Sequence, residues 1–285
     1  MENHGINWEL EKAQQKETDW VFGSASPKCI ALIPNGERDL YLPKGEIQRG
    51  KEDTLDCASR APVNLLETKF NYLLRNGLLP KTHSDWLIDN GYVTVHGVEF
   101  SDAFIAITSK STRQGNSLIA PCDAIHNFGL IPKKILPLVP TMTWDEYHNP
   151  ERITPAMYDL GKRFLERFNI NYERVLEKDY GTLLEQDILD VGGFAWPEPV
   201  NGVYEPIDLN PNHAFIVYKA PKYFAFDNYP DSFDGDFVKK LSPNYDLIDW
   251  GYRLFISINQ SVSAKQTFWQ RFLNWWKGRF IKTNK

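Results

Sequence analysis

The spacing of apolar residues predicts helices in the first two thirds of the chain. Over residues 58–75, apolar side chains recur at intervals of three, four and seven residues, and Asn76 and Gly77 supply a stop signal. Residues 117–128 predict a second helix. Residues 154–168 predict a third, because their opening Thr-Pro pair combines an N-cap residue with a proline at the first helical position.

The last third of the chain predicts strands. Four short segments are rich in β-branched and aromatic residues and are separated by Pro, Gly and Asn. They read DILDVGGFAW (187–196), HAFIVYK (213–219), KYFAFDNY (222–229) and YRLFISI (252–258). Helices followed by strands indicate an α+β protein rather than a regular βαβ repeat.

The amino-acid composition limits the classes of function that the protein can have. The 285 residues are 42% hydrophobic and 24% charged, which is typical of a globular chain with one large domain or two small ones. A net charge of -5 argues against general nucleic-acid binding. The three cysteines, Cys29, Cys57 and Cys122, form no cluster with histidine, so we expect neither a metal nor another cofactor. Because three is odd, at least one thiol should stay free or pair outside the chain.

The final residues differ in character from the rest. Residues 265–285 carry basic and no acidic side chains, and apolar residues recur there at helical spacing. We predict an amphipathic helix at 259–285 that docks on a protein partner or lies on a membrane surface, and both interpretations stay open. Its apolar face would include Phe268, Trp269, Phe272 and Trp276. The sequence shows neither a secretory signal nor an apolar run long enough to span a membrane, and it leaves the compartment open.

Cys57 is the candidate nucleophile. It precedes the helix predicted at 58–75, where the positive end of the helix dipole lowers the pKa of a thiol. The neighbouring Asp56 would oppose thiolate formation unless its carboxylate points away or caps the helix. The other two cysteines have no comparable setting, so we expect them to be core thiols.

His213 is the candidate base. It opens a predicted strand whose hairpin partner ends at Asp227, and alternate residues of a strand share one face. The Asp227 carboxylate would hold the imidazole in the tautomer that a base requires, with Asn228 as the alternative.

These segments resemble those of papain-like cysteine peptidases. NHAFIVYKAPKYFAFDNY is similar to the family's histidine and asparagine strands, and His213 falls on the catalytic histidine. QRGKEDTLDCASRAPVNLLE is similar to the segment that carries the oxyanion glutamine and the nucleophile, which places Gln48 and Cys57 in those roles. The segment that begins at Gln114 resembles a Gly-rich turn, so Gly115 and Asn116, together with Asn212, are the predicted substrate contacts.

The resemblance implies a papain-like fold over residues 45–258, with an N-terminal arm at 1–44 and the amphipathic helix at 259–285. A helical half would carry Cys57, an antiparallel sheet would carry His213, and the active site would lie in the cleft between them. Divergent members encoded by bacteriophages and uncultured bacteria are the most similar subgroup, which suggests a phage virion or a host cytoplasm as the location.

The expected function is therefore cysteine-dependent hydrolysis of peptide or amide bonds in a protein or peptide substrate. Two alternatives remain. One is a peptidoglycan amidase of the CHAP type, which has the same Cys–His–polar order. The other is a papain-like structural component of a virion that acts through its C-terminal tail.

Overall fold

The computed structural model describes residues 5–14, 21–22, 32–206, 210–230 and 235–259. The predicted C-terminal amphipathic helix, Cys29 and most of the residues between Gln14 and Leu32 lie outside these ranges. Within them the helices are α1 (Trp8–Gln14), α2 (Cys57–Arg75), α3 (Lys81–Asp89), α4 (Asp102–Thr108), α5 (Ile119–Phe128), α6 (Trp144–Tyr147), α7 (Pro155–Leu165) and α8 (Tyr180–Gln186).

The strands form an antiparallel sheet that follows most of the helices in the chain. They are β1 (Val93–Thr94), β2 (Gly97–Val98), β3 (Phe168–Leu176), β4 (Leu189–Gly193), β5 (His213–Lys219), β6 (Phe224–Phe226), β7 (Val238–Lys240) and β8 (Trp250–Ile258). Strands β1 and β2 form a small hairpin of their own. The other six make one sheet in the order β3-β8-β4-β5-β6-β7, with every neighbouring pair antiparallel.

Helix α2 lies at the centre of the core and is buried on nearly all sides. Its Phe70 is fully buried and packs against Phe100, Phe164 and Phe168, with ring centroids 5.0–5.7 Å apart. Burying a phenylalanine side chain of this kind contributes about 2–3 kcal/mol. The aromatic cluster therefore fixes α2, and with it the position of Cys57 at the start of the helix.

The structure confirms the α+β class, the helices predicted at 58–75, 117–128 and 154–168 and the four predicted strands, with differences at their ends. The helix expected at 154–168 ends at Leu165, because Phe168 already begins β3. The helix expected at 117–128 begins at Ile119. Strand β3 has no counterpart among the predicted elements, since Asn169, Asn171, Glu173 and Arg174 interrupt its apolar pattern.

Candidate active site

The N-terminus of α2 meets strand β5 at Cys57. The thiol is 1% exposed, and its Sγ accepts a hydrogen bond from the backbone N–H of Ala214 at 3.3 Å. Leu55, two residues upstream, has a φ of 51°, a left-handed conformation that is uncommon for a side chain of its size. This turn brings the chain into the helix with Cys57 as its first residue and directs the sulfur at the sheet.

Asp56 points away from the nucleophile. It occupies the N-cap position, but its side chain accepts no hydrogen bond from the backbone N–H groups of the first turn. Its carboxylate instead accepts hydrogen bonds from Thr54 Oγ1 at 2.5 Å and Tyr147 Oη at 2.6 Å, and it pairs with Arg60 Nε at 2.9 Å. Burial would raise the pKa of Asp56, but Arg60 and the two hydroxyls outweigh it, so the pKa falls below its usual value. The charge beside Cys57 is thus compensated within a buried network.

His213 and Asp227 lie side by side at the end of a hairpin. Strands β5 and β6 are antiparallel, and Val217 pairs with Ala225. This register places the side chains of His213 and Asp227 on the same face of the sheet, as predicted. Imidazole Nε2 of His213 lies 2.5 Å from Oδ1 of Asp227. Because an ionised carboxylate only accepts hydrogen bonds, Nε2 carries the hydrogen in this pair. Nδ1 is then the ring nitrogen that would exchange a proton with a nucleophile.

Asp227 is held in its ionised form by partners that the sequence analysis did not identify. Trp196 Nε1 donates to Oδ2 at 2.5 Å, and Lys239 Nζ lies 3.4 Å from the same oxygen. Burial alone would raise the pKa of Asp227, but His213, Lys239 and the hydrogen bonds lower it to about 2. The Trp196 ring also lies edge-on to His213, with centroids 6.0 Å apart. A tryptophan from the loop after β4 thus helps to enclose the His–Asp pair.

Gln48 is fully buried and belongs to a second hydrogen-bonded group. Its Nε2 donates to Tyr229 Oη at 2.8 Å and to Asp53 Oδ1 at 3.2 Å. The Tyr229 hydroxyl donates in turn to the other oxygen of Asp53, and its ring packs against His213 at a centroid distance of 5.2 Å. Gln48 therefore reaches the side of the site occupied by His213. Tyr229 lies in the FDNY segment, where nothing in the sequence distinguishes it, and Asp53 carries no sequence signal of its own.

The electrostatics favour a neutral Cys57 thiol in this conformation. Burial is the largest cause and raises the pKa well above its usual value. The hydrogen bond from Ala214 lowers it, while the charges of Asp56, Asp227 and Asp53 raise it further. The prediction that the helix dipole lowers the pKa of this thiol is therefore wrong for this conformation. The dipole is outweighed because a buried anion loses its hydration.

The predicted substrate contacts lie on two loops. The Asn116 side chain is buried and donates to Ser109 and Ser111, so it shapes the turn rather than facing outward. Its backbone and that of Gly115 lie along residues 5–7. Asn212 donates its backbone N–H to Gly193 and accepts from Ala195 N with its side chain at 2.9 Å.

Two further residues considered from the sequence, Asn228 and Cys122, make structural contacts. Asn228 does not bind the imidazole, because its amide accepts from Asn64 and donates to the carbonyl of Glu46. Cys122 is buried, in line with a core thiol.

In the described ranges, no group of three or more His, Cys, Asp or Glu side chains is arranged to hold a metal ion. None of the helices described is long and apolar enough to cross a membrane.

Comparison with known proteins identifies the fold. No protein-family model and no curated protein sequence matches the chain. Among solved structures, xylellain, a cysteine protease from Xylella fastidiosa, superposes with a TM-score of 0.51 at 12% identity, covering 85% of this chain and 96% of that one. The ragweed pollen cysteine protease Amb a 11, in its proform, gives a TM-score of 0.53 at 12% identity, with coverages of 90% and 75%. Procathepsin B from Trypanosoma congolense gives 0.52 at 9% identity, with coverages of 89% and 86%.

These similarities extend over most of each chain and are too distant in sequence to establish more than architecture. They match the observed arrangement of a central helix packed on an antiparallel sheet. The chain therefore has the fold of the papain-like cysteine proteases.

Proposed function

We propose that the protein is a cysteine peptidase that hydrolyses peptide bonds through an acyl-enzyme, with Cys57, His213 and Asp227 as its catalytic residues. The observation that carries the proposal is the meeting of three elements at one point. The thiol at the start of α2 touches β5, and the first residue of β5 is a histidine fixed by a buried carboxylate. A nucleophile, a base and an orienting group in this relation are the requirements of thiol-based acyl transfer.

In the first half of the reaction, Nδ1 of His213 takes the proton of the Cys57 thiol. The thiolate attacks the substrate carbonyl carbon, a C–S bond forms, and the carbonyl oxygen becomes an oxyanion. When the oxyanion collapses, the C–N bond breaks and the imidazolium gives its proton to the departing amine. The Asp227 carboxylate, with its pKa near 2, stays ionised throughout and stabilises the imidazolium.

In the second half, water enters where the amine has left. His213 takes a proton from the water as its oxygen attacks the thioester carbon. The C–S bond then breaks, the carboxylic acid is released, and the proton returns to the sulfur. The backbone N–H of Cys57 and the amide of Gln48 are the proposed oxyanion donors. Since Gln48 Nε2 donates to both Tyr229 and Asp53 in this conformation, a substrate oxyanion must displace one of these two acceptors.

The test is turnover of a fluorogenic peptide library by the full chain. Cys57→Ser and His213→Ala should each lower kcat/KM by at least roughly a thousandfold, since loss of the nucleophile or the base of such a pair can cost about a millionfold in kcat. Cys122→Ser is the matched control, because that thiol is buried in α5, and it should leave turnover unchanged. Turnover that survives Cys57→Ser would refute the proposal.

Two further assays separate the alternatives predicted from the sequence. Turnover of purified cell walls but not of unfolded protein or peptides would favour the peptidoglycan amidase. Tail-dependent incorporation into a particle, unaffected by Cys57→Ser, would favour the structural virion component. Association with a bacteriophage and docking through the C-terminal tail remain predictions that rest on the sequence.

A further inference from the structure

A buried lysine lies at the far oxygen of the carboxylate that orients the base. Lys239 is the middle residue of β7, and its side chain is 0% exposed. It pairs with Ala225 of β6, so its side chain shares a face of the sheet with that of Asp227. Its Nζ lies 3.4 Å from Oδ2 of Asp227, while Oδ1 lies 2.5 Å from Nε2 of His213. The ammonium, the carboxylate and the imidazole therefore lie in series.

The contacts of the ammonium are those that a buried cation needs. Lys239 Nζ donates to the carbonyl of Tyr229 at 2.5 Å and lies 5.3 Å from the centroid of the Trp196 ring. A buried charge is unfavourable unless it is paired and hydrogen-bonded, and an aromatic face adds to its stabilisation. The rings of Tyr229 and Trp196 also lie 5.2 Å and 6.0 Å from that of His213. The lysine thus belongs to the group of side chains that surrounds the base.

The charge of this lysine matters because of the state that the proposed reaction requires. The thiolate of Cys57 and the imidazolium of His213 cancel each other in charge. Asp227, with its pKa of about 2, adds a negative charge to them, and this charge raises the pKa of the Cys57 thiol. An orienting carboxylate therefore opposes formation of the nucleophile that it serves. A cation on its second oxygen offsets this effect.

We infer that Lys239 is a positioning residue of the candidate site, whose ammonium compensates the charge of Asp227 so that Cys57 and His213 face an orienting group with no net charge. The inference rests on the proposed function, because the compensation has a use only where a thiolate and an imidazolium form together. A lysine with a purely structural role would stabilise the fold and leave the pH dependence of the thiol unchanged.

The other ionisable groups around the site leave this balance to the ion pair. Asp53 and Asp56 raise the pKa of the Cys57 thiol, and the variants proposed below keep both of them. The hydroxyls of Tyr229 and Tyr245 are influenced by the orienting carboxylate, and burial raises the pKa of both. They therefore stay neutral at neutral and acidic pH. A change at position 239 alters the charge on the orienting group without altering theirs.

The test is the pH dependence of Cys57 alkylation by iodoacetamide in the full chain, with the pH profile of kcat/KM as a second measurement. Lys239→Met should raise the pH of half-maximal alkylation by roughly 0.5–1 unit, because loss of a nearby cation disfavours the thiolate. Asp227→Asn should move it by a similar amount to lower pH, because it removes a negative charge. The double variant removes both charges and should lie within about 0.2 unit of the native chain, because the two effects cancel.

Two controls separate the charge effect from a loss of structure. Lys240→Met removes the same charge from the next residue of β7, which is exposed and lies on the opposite face, and it should leave the midpoint unchanged. Cys122 is a buried thiol in the same molecule and should stay slow to react in every variant. If Lys239→Met makes Cys122 reactive, the comparison of Asp227→Asn with the double variant decides, because it measures the same loss of the cation without leaving a carboxylate unpaired.

Failure of this inference and failure of the proposed function give different results. The inference is overturned if loss of Lys239 does not raise the midpoint, if Lys240→Met raises it equally, or if the double variant stays as displaced as Lys239→Met. If the shifts occur and cancel but no Cys57-dependent hydrolysis is found, the charge compensation stands and the peptidase is refuted. If hydrolysis requires Cys57 and His213 while the midpoints do not move, the peptidase stands and the role of Lys239 is refuted.

Discussion

Replacing Asp227 with asparagine tests how the carboxylate orients the base. Both carboxylate oxygens face donors. Oδ1 receives His213 Nε2 and the Asn228 N–H, while Oδ2 receives Trp196 Nε1 and lies near Lys239 Nζ. An asparagine that keeps its oxygen toward His213 turns its own NH₂ group onto Trp196 and Lys239. The substitution therefore removes a charge and also places the amide NH₂ group opposite two other hydrogen-bond donors.

The magnitude follows from the pKa of Asp227, which is lowered from 3.8 to about 2. At about 1.4 kcal/mol per pKa unit, ionisation of this group stabilises the folded state by about 2 kcal/mol. Because the folded pKa lies below the unfolded value, this stabilisation is complete above about pH 5 and is lost as the pH falls toward 2. Unpaired donors opposite Trp196 add about 1–3 kcal/mol to the cost of the substitution.

Urea unfolding of the native chain and of Asp227→Asn at pH 7, 5 and 3 measures this stabilisation and its pH dependence directly. We expect the variant to be less stable by about 3–5 kcal/mol at pH 7, the sum of the two costs. The difference should shrink by about 1 kcal/mol between pH 5 and pH 3, because only the native chain loses the ionised carboxylate. Asp159→Asn, an exposed carboxylate on α7, is the control and should give a small, constant difference. A difference that stays constant or grows toward pH 3 would refute the buried ion pair.

Three further substitutions test other parts of the site and core. Asp53→Asn removes a charge that raises the pKa of the Cys57 thiol, so the pH profile of Cys57 alkylation should move to lower pH; an unchanged profile would contradict this. Arg60→Met leaves the carboxylate of Asp56 buried without its cation and should cost about 3–5 kcal/mol in urea unfolding, whereas a cost under about 1 kcal/mol would show that the pair is dispensable. Phe70→Ala should destabilise by about 3–5 kcal/mol, with a far smaller loss arguing against the central packing of α2.

The His–Asp hairpin could be predicted because its geometry is local. Two short strands close in sequence pair by default, and the two-residue period of a strand fixes which side chains share a face. His213 and Asp227 are 14 residues apart, and the observed register of Val217 against Ala225 puts them together. The position of Cys57 at a helix start was likewise readable from the apolar period that follows it.

The partners that complete the site could not be predicted, because they come from distant parts of the chain. Trp196 and Lys239 reach Asp227 from separate loops and strands, and no spacing in the sequence links them. Glu11 belongs to a polar, charged stretch that reads as exposed, yet its carboxylate is fully buried. The reason is tertiary, since the carboxylate accepts hydrogen bonds from two backbone N–H groups at the start of α5 and from the side chains of Trp250 and Tyr252.

The hydration of the Cys57 thiol links the buried site to the proposed chemistry. Loss of hydration is the largest cause of the raised pKa of Cys57, and the charges of nearby carboxylates come after it. Residues 5 and 6 lie over the turn before Cys57 and the strands beside it, so they contribute to that loss of hydration. Water that reaches the sulfur when a substrate enters would reverse this largest cause and lower the thiol pKa. In the proposed mechanism, access to the nucleophile and its activation are therefore coupled.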